Sequence, residues 1–246
     1  MVDPESDAGA EPTPEPSRRP EQPRRKRGSL LRELVIIVVS ALLLSWLVKT
    51  YLVQPFSIPS SSMEDTLIEG DRVLVSKLVP RFADVRRGDV IVFKDPGGWL
   101  GEDGPEDADG VTGFADDALT FVGLRPQDAG EHLIKRVVGV GGDHVTCCDD
   151  EGRVSVNGVP LAETYLKPGV APSQTEFDTV VPEDSYWVMG DNRPHSHDSR
   201  YTGGLPGGGY VPLDDVVGVA FARVWPVDRL ALMKNPEDVF APVGEP

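Results

Sequence analysis

Cysteine is nearly absent. The 246 residues hold two, Cys147 and Cys148, and these are neighbours. Without a Cys-x-x-Cys spacing, a zinc ribbon and a thioredoxin-type redox motif are excluded. A vicinal disulfide and two free thiols both remain open. An oxidising compartment favours the first; the opposed directions of adjacent strand side chains favour the second. Basic residues are scarce beyond the N-terminus: seven of the 24 Lys and Arg lie within residues 1–33, and the rest of the chain carries the whole formal charge of −16. An acidic body argues against a nucleic-acid partner, because binding phosphates needs a basic face. Metal-ligand spacings are incomplete as well. His195 and His197 with Asp198 lack a further ligand nearby, and Asp107 and Asp109 begin a calcium-loop spacing that is not finished. No metal and no other cofactor is expected. Long apolar runs are limited to one.

That run lies near the start. Residues 1–29, rich in Pro, Glu and Arg, cannot bury enough surface to offset ordering entropy and read as a disordered tail. The tail carries Arg24-Arg25-Lys26-Arg27. Residues 30–53 then read as a transmembrane helix, with Trp46 and Tyr51 suited to an interfacial aromatic belt. A cleaved signal peptide fits poorly, since no small-x-small site follows. The preceding basic cluster places the N-terminus in the cytoplasm and everything after residue 54 outside.

From Gly70 onward the pattern is β. Arg72–Ser76, Asp89–Phe93, Leu133–Val138, Tyr186–Met189 and Val216–Trp225 are runs of strand formers bounded by Gly and Asp. Val154–Leu161 alternates around Asn157-Gly158, the signature of a tight hairpin. A mostly antiparallel β domain over 54–234 follows, with a solvated acidic insertion at 97–117, a β-rich subdomain at 144–187, one short helical stretch at 116–124 and a polar C-terminal tail at 235–246.

Chemistry concentrates around Phe56-Ser57-Ile58-Pro59-Ser60-Ser61-Ser62-Met63, just past the apolar run. Ser62 is the candidate nucleophile, and a serine hydroxyl needs a base within hydrogen-bond reach. Lys135 is one option. On a strand it shares its face with Leu133 and Val137, and burial there would favour the neutral amine. The alternative for such a lysine is snorkelling from a strand edge. A second option is His197 with Asp198, although consecutive residues seldom point the same way. The polar stretch Met189 to Arg200 reads either as a turn-rich connection or as the wall of an active site.

Four stretches together resemble the bacterial type I signal peptidases, membrane-anchored serine proteases with a Ser-Lys dyad. They are Ile58–Met63 with Thr66-Leu67, Gly88–Phe93, Lys135–Gly139 with Gly142-Asp143, and Gly190-Asp191-Asn192-Arg193 through Ser196, Asp198, Ser199 and Arg200. The resemblance implies a signal-peptidase/LexA-like antiparallel β-sheet fold. It implies Ser62 as nucleophile, Lys135 as general base, and Ser60 as an oxyanion donor beside the Ser62 N–H. It further implies Ser196 as the hydroxyl orienting the lysine, and Asp198 with Arg200 as a supporting ion pair. Phe56, Ile58, Pro59, Leu133 and Ile134 would line small apolar pockets. The implied substrates are secretory preproteins cut after an Ala-x-Ala-like site, with membrane lipid as the other partner. Two positions depart from the pattern: Asp65 and Gly141 each stand where proline is common, which frees backbone that is usually stiff. A self-cleaving repressor of the same dyad class would need a DNA-binding domain where this chain has a tail and a span. A membrane-tethered β adhesion or scaffold domain is the non-enzymatic alternative.

Overall fold

The computed structural model describes residues 27–100 and 132–244. The helical stretch expected at 116–124, most of the acidic insertion and nearly all of the N-terminal tail lie outside the described residues. Helix α1 runs over Arg27–Tyr51, 25 residues. Its segment Leu30–Tyr51 has a mean hydropathy of 2.2 and is long and apolar enough to cross a membrane. Of the two serines in mid-run, the Ser40 hydroxyl donates to the Ile37 carbonyl at 3.0 Å, which removes a free hydroxyl from the apolar surface. The helix ends short of residue 53, because Val53 already pairs with Ser76 as the first residue of a strand.

Residues 27–41 of the helix belong to one compact unit, and the chain from Leu42 onward forms a second. All the strands lie in the second. They are β1 (Val53–Ser57), β2 (Arg72–Ser76), β3 (Val90–Lys94), β4 (His132–Val140), β5 (His144–Cys147), β6 (Val154–Val156), β7 (Val159–Pro160), β8 (Phe177–Val180), β9 (Ser185–Met189), β10 (Val211–Pro212), β11 (Val216–Trp225) and β12 (Ala231–Leu232). The larger sheet has the order β1-β2-β11-β3-β4-β9-β10, with β12 added to β11; the smaller has the order β7-β6-β5-β8. Every pairing is antiparallel. The mostly β, antiparallel architecture with one N-terminal apolar helix is therefore the observed one.

Strand β1 contains Pro55 and sits at the edge of its sheet, where a missing N–H costs least. The Asn157-Gly158 hairpin forms as its sequence dictates. Both residues take positive φ, 53° and 78°, as a two-residue turn joining twisted strands requires. The β-rich subdomain is narrower than 144–187, because Ser185–Met189 pairs with β4 in the larger sheet. Cys147 and Cys148 are joined as a disulfide.

Residues 235–244 are not a free tail. Val239, Phe240 and Val243 are buried in one core cluster with Val145, Leu161 and Trp187, and Asn235 donates to the Arg87 carbonyl at 2.9 Å and to Asp89 at 2.7 Å. The prolines and charges around them hid an apolar spacing that a short helix, Glu237–Phe240, presents to the core. A second cluster gathers Phe56, Ile58, Met63, Leu67, Val92 and Ile134 beneath the serine-rich segment.

Candidate active site

Strand β1 delivers the chain to a tight loop. The Ile58 N–H donates to the Asp71 carbonyl and the Gly70 N–H to the Ile58 carbonyl, each at 2.9 Å. Between these pinned ends Met63 and Leu67 are fully buried and act as apolar anchors. The buried Asp71 carboxylate accepts the Ile68 N–H at 3.0 Å and Arg229 at 2.8 and 2.9 Å. Ser62 is the middle residue of a single 3₁₀ turn, Ser61–Met63. N–H groups at the start of such a turn have no partner inside it, so the Ser62 N–H is available to a ligand.

Asp65 takes φ +84°. A proline is locked near −65°, so aspartate here is a different backbone state and not merely a loosened proline. Gly141 differs for a steric reason. A Cβ there would lie 3.1 Å from the Glu183 Cα, so glycine permits a close approach of two loops.

Lys135 lies in the interior of the large sheet, paired with Ile91 of β3. It is 3% exposed, and Ser62 is 6% exposed. The Lys135 Nζ donates to the Ser62 Oγ at 2.7 Å. Burial lowers the lysine pKa from 10.5 to about 8; the Asp198 and Asp191 carboxylates pull it upward and Arg200 pushes it down. An amine with that affinity is neutral for an appreciable fraction of the time near neutrality, which is what a general base requires. The Ser60 and Ser62 hydroxyl oxygens are 3.3 Å apart.

The segment after β9 closes the site. The Asn192 N–H donates to the Ser62 carbonyl at 3.0 Å and its side-chain amide donates to the Ser61 carbonyl at 2.9 Å. Gly190 has no room for a side chain, since a Cβ would collide with the Ser62 carbonyl and the Ser196 hydroxyl. Asp198 and Arg200 form a fully buried, two-pronged pair with both contacts at 2.8 Å. Burial alone would raise the Asp198 pKa; Arg200 and the Gly190 N–H outweigh it and keep the carboxyl below its usual range. Asp198 thus faces Arg200 and not His197, whose Nδ1 lies 3.1 Å from the Trp99 carbonyl oxygen. Ser196 is buried next to the Asp198 carboxylate. Its hydroxyl makes no hydrogen bond to Lys135 and instead sits against the Asp198 carboxylate, which it helps keep ionised.

Phe56, Ile58, Pro59, Leu133 and Ile134 come together around one cavity of about 90 Å³, which Ser60, Lys135, Ser57, Val92, Leu100 and His132 also line.

Sequence reasoning passed over the layer behind these groups. Arg136 holds the Asp191 carboxylate through Nε at 2.8 Å and Nη2 at 2.6 Å, and Thr66 donates to the same carboxylate at 2.5 Å. Arg193 holds Glu163 with no side-chain exposure. Arg136 follows the lysine directly, and Asp191 and Arg193 stand inside the Gly-Asp-Asn-Arg stretch, so the motifs contained the signal. Glu163 had none beyond being an acid just past a hairpin.

A family model described as "Signal peptidase, peptidase S26" matches residues 31–225. A signal peptidase I of Mycobacterium tuberculosis is 39% identical over 235 residues, covering 87% of this chain and 79% of its own. A probable signal peptidase I-2 of Synechocystis is 35% identical over 204 residues, covering 82% and 77%. Among solved structures, a signal peptidase I from Enterococcus faecalis is 27% identical, with a TM-score of 0.35 over 55% of this chain and 96% of its own.

Proposed function

Because this chain belongs to the signal peptidase family, peptidase S26, we propose that it is a membrane-anchored serine endopeptidase that removes N-terminal signal peptides from secretory preproteins, using Ser62 and Lys135 as its dyad. The observation that carries the dyad is the 2.7 Å contact between a buried amine and a buried hydroxyl. Neutral Lys135 takes the Ser62 proton as the oxygen attacks the scissile carbonyl. The oxyanion is met by the Ser62 N–H and the Ser60 hydroxyl. Preorganised donors of this kind are each worth about 10²–10³ in kcat. The protonated lysine then gives its proton to the leaving amine, and a water repeats the attack on the acyl-enzyme with Lys135 again as base.

The small cavity beside Ser60 and Lys135 selects alanine-sized residues before the cleaved bond, in keeping with an Ala-x-Ala-like site. Helix α1 serves as the anchor, with the basic N-terminal cluster inside and the peptidase domain outside the cell. A preprotein held in the same bilayer by its signal peptide meets the enzyme at a raised effective concentration. Protease added to intact cells should digest the domain after residue 54 and spare the N-terminus; the reverse pattern would overturn the orientation.

The decisive experiment uses the full chain in detergent micelles with a secretory precursor as substrate. Cleavage is expected after a small residue, and loss of cleavage in both Ser62→Ala and Lys135→Ala. Undiminished cleavage by either variant would exclude the dyad.

A further inference from the structure

Two buried arginines grip neighbouring points of the loop that follows β9, and both rest on the same short segment of the other sheet's connection. The Arg193 Nε donates to the Gly190 carbonyl at 2.9 Å, while its Nη1 donates to Glu163 at 3.0 Å and to the Pro172 carbonyl at 2.6 Å, and its Nη2 to Glu163 at 2.5 Å. Arg136 is bonded to Asp191 through two nitrogens and to the Gly88 carbonyl through the third, at 2.7 Å. The face of the Arg136 guanidinium lies 4.2 Å from the centre of the Tyr165 ring. The Tyr165 hydroxyl donates to Glu163 at 2.6 Å. One carboxylate and one phenol, two positions apart, therefore back both cations.

The points gripped are the ones that set the site. Gly190 gives its N–H to Asp198 at 2.9 Å and lies against the Ser62 carbonyl. Asp191 is one of two carboxylates whose field reaches Lys135. The residue after it binds the Ser62 carbonyl.

We propose that Glu163 and Tyr165 are positioning residues for the peptidase reaction: acting through Arg193 and Arg136, they fix the Gly190 carbonyl and the Asp191 carboxylate, and so hold the amine of Lys135 in line with Ser62. This rests on the dyad assigned above. Arg193 also feels the Asp191 charge. Without the Glu163 carboxylate it becomes a buried cation that still feels the anion Arg136 holds. Competition for Asp191 would draw the loop away from Ser62. A displacement of that order lowers turnover by roughly 10–100-fold and leaves the apolar cavity that binds substrate untouched.

The test uses the full chain in micelles, reading kcat and KM separately on one precursor, with the melting temperature measured alongside. Glu163→Gln and Tyr165→Leu should each lower kcat by about tenfold or more while KM stays within about twofold. Tyr165→Phe, which keeps the ring beneath Arg136, should recover most of the turnover lost in Tyr165→Leu. The double change Glu163→Leu with Arg193→Met removes both charges at similar volume. Replacing a buried pair in that way usually preserves folding, so this variant should melt near the wild type yet remain slow, because the Gly190 carbonyl has lost its donor. Wild-type kcat in the double variant, or in folded Glu163→Gln, would overturn the proposal. Dyad-dependent cleavage at full speed in the double variant sinks only this inference. Cleavage that survives Ser62→Ala and Lys135→Ala sinks the dyad itself.

Discussion

The Lys135 amine and the Ser62 hydroxyl are 2.7 Å apart across 73 positions of sequence. The contact joins a buried strand in the sheet interior to a loop pinned by Met63 and Leu67. As the proposed dyad, it depends on what surrounds it, and that environment can be perturbed one group at a time.

The pH dependence should be set by the lysine. Burial brings its pKa from 10.5 to about 8, and only the neutral amine accepts the serine proton. Thus kcat/KM should climb by about tenfold per pH unit below that value and level off above it. Initial rates across the range from about 6 to 10 check this. A profile already flat at the acid end would mean that another base is at work.

Asp198 and Arg200 act on that lysine with opposite signs. Asp198 favours its charged form and Arg200 disfavours it. Arg200→Met should therefore move the midpoint of the rate profile toward higher pH, and Asp198→Asn toward lower pH. Shifts in the same direction for both variants would contradict the electrostatic account.

Catalysis here works against stability. Below about pH 8 the lysine is protonated in both the folded and unfolded chains, and the folded state bears the full cost of the lowered pKa. Between about 8 and 10.5 the unfolded chain holds the proton that the folded one has shed, so wild-type stability rises with pH across that window. Lys135→Met should stabilise the protein near neutrality by about 1–3 kcal/mol, a gain that fades on the alkaline side. Melting temperatures at the two ends of the window measure it; a variant less stable than wild type at neutral pH would count against the burial penalty.

Selection of small side chains should depend on Ile58 and Ile134. Truncating either to alanine enlarges the cavity of about 90 Å³. Precursors with valine or leucine before the cleaved bond should gain about 10–100-fold relative to alanine. A panel of such precursors, scored by product N-terminal sequence, gives the answer, and an unchanged preference would place the selecting pocket elsewhere.

Asp65 offers a local test of the backbone. With φ at +84°, glycine is the better residue, and Asp65→Gly should stabilise by about 0.5–1 kcal/mol. Asp65→Pro cannot reach that angle and should cost about 3 kcal/mol or more, with loss of activity. Parallel melting curves of the two variants distinguish these outcomes.

Much of this arrangement was legible in the chain. The strands Arg72–Ser76 and Val216–Trp225 match their sequence boundaries, because runs of β-branched residues between polar stops have few other options. The Asn157-Gly158 turn was equally plain. Strand β1 was not, because Pro55 speaks against a strand and only its place at a sheet edge makes it one. The C-terminal segment misled in the opposite way. Three apolar residues among prolines and acids carry little periodic signal, yet they complete a core. The apolar partners of the pocket were implied by the resemblance to the signal peptidases. The arginine layer behind them did not, since a buried ion pair depends on contacts as distant in sequence as Arg136 and Asp191, 55 positions apart. Ser196 shows the limit from the other side: its place in the motif put it beside Asp198, and the hydroxyl reaches no hydrogen bond to the lysine.

Strand β11 stands between β2 and β3 in the larger sheet, although it lies far downstream of both in the chain. The half carrying the serine and the half carrying the lysine are bridged through it. On the proposed dyad, a chain that stops short of β11 would lack the bridge between its serine-bearing and lysine-bearing halves and would be inert.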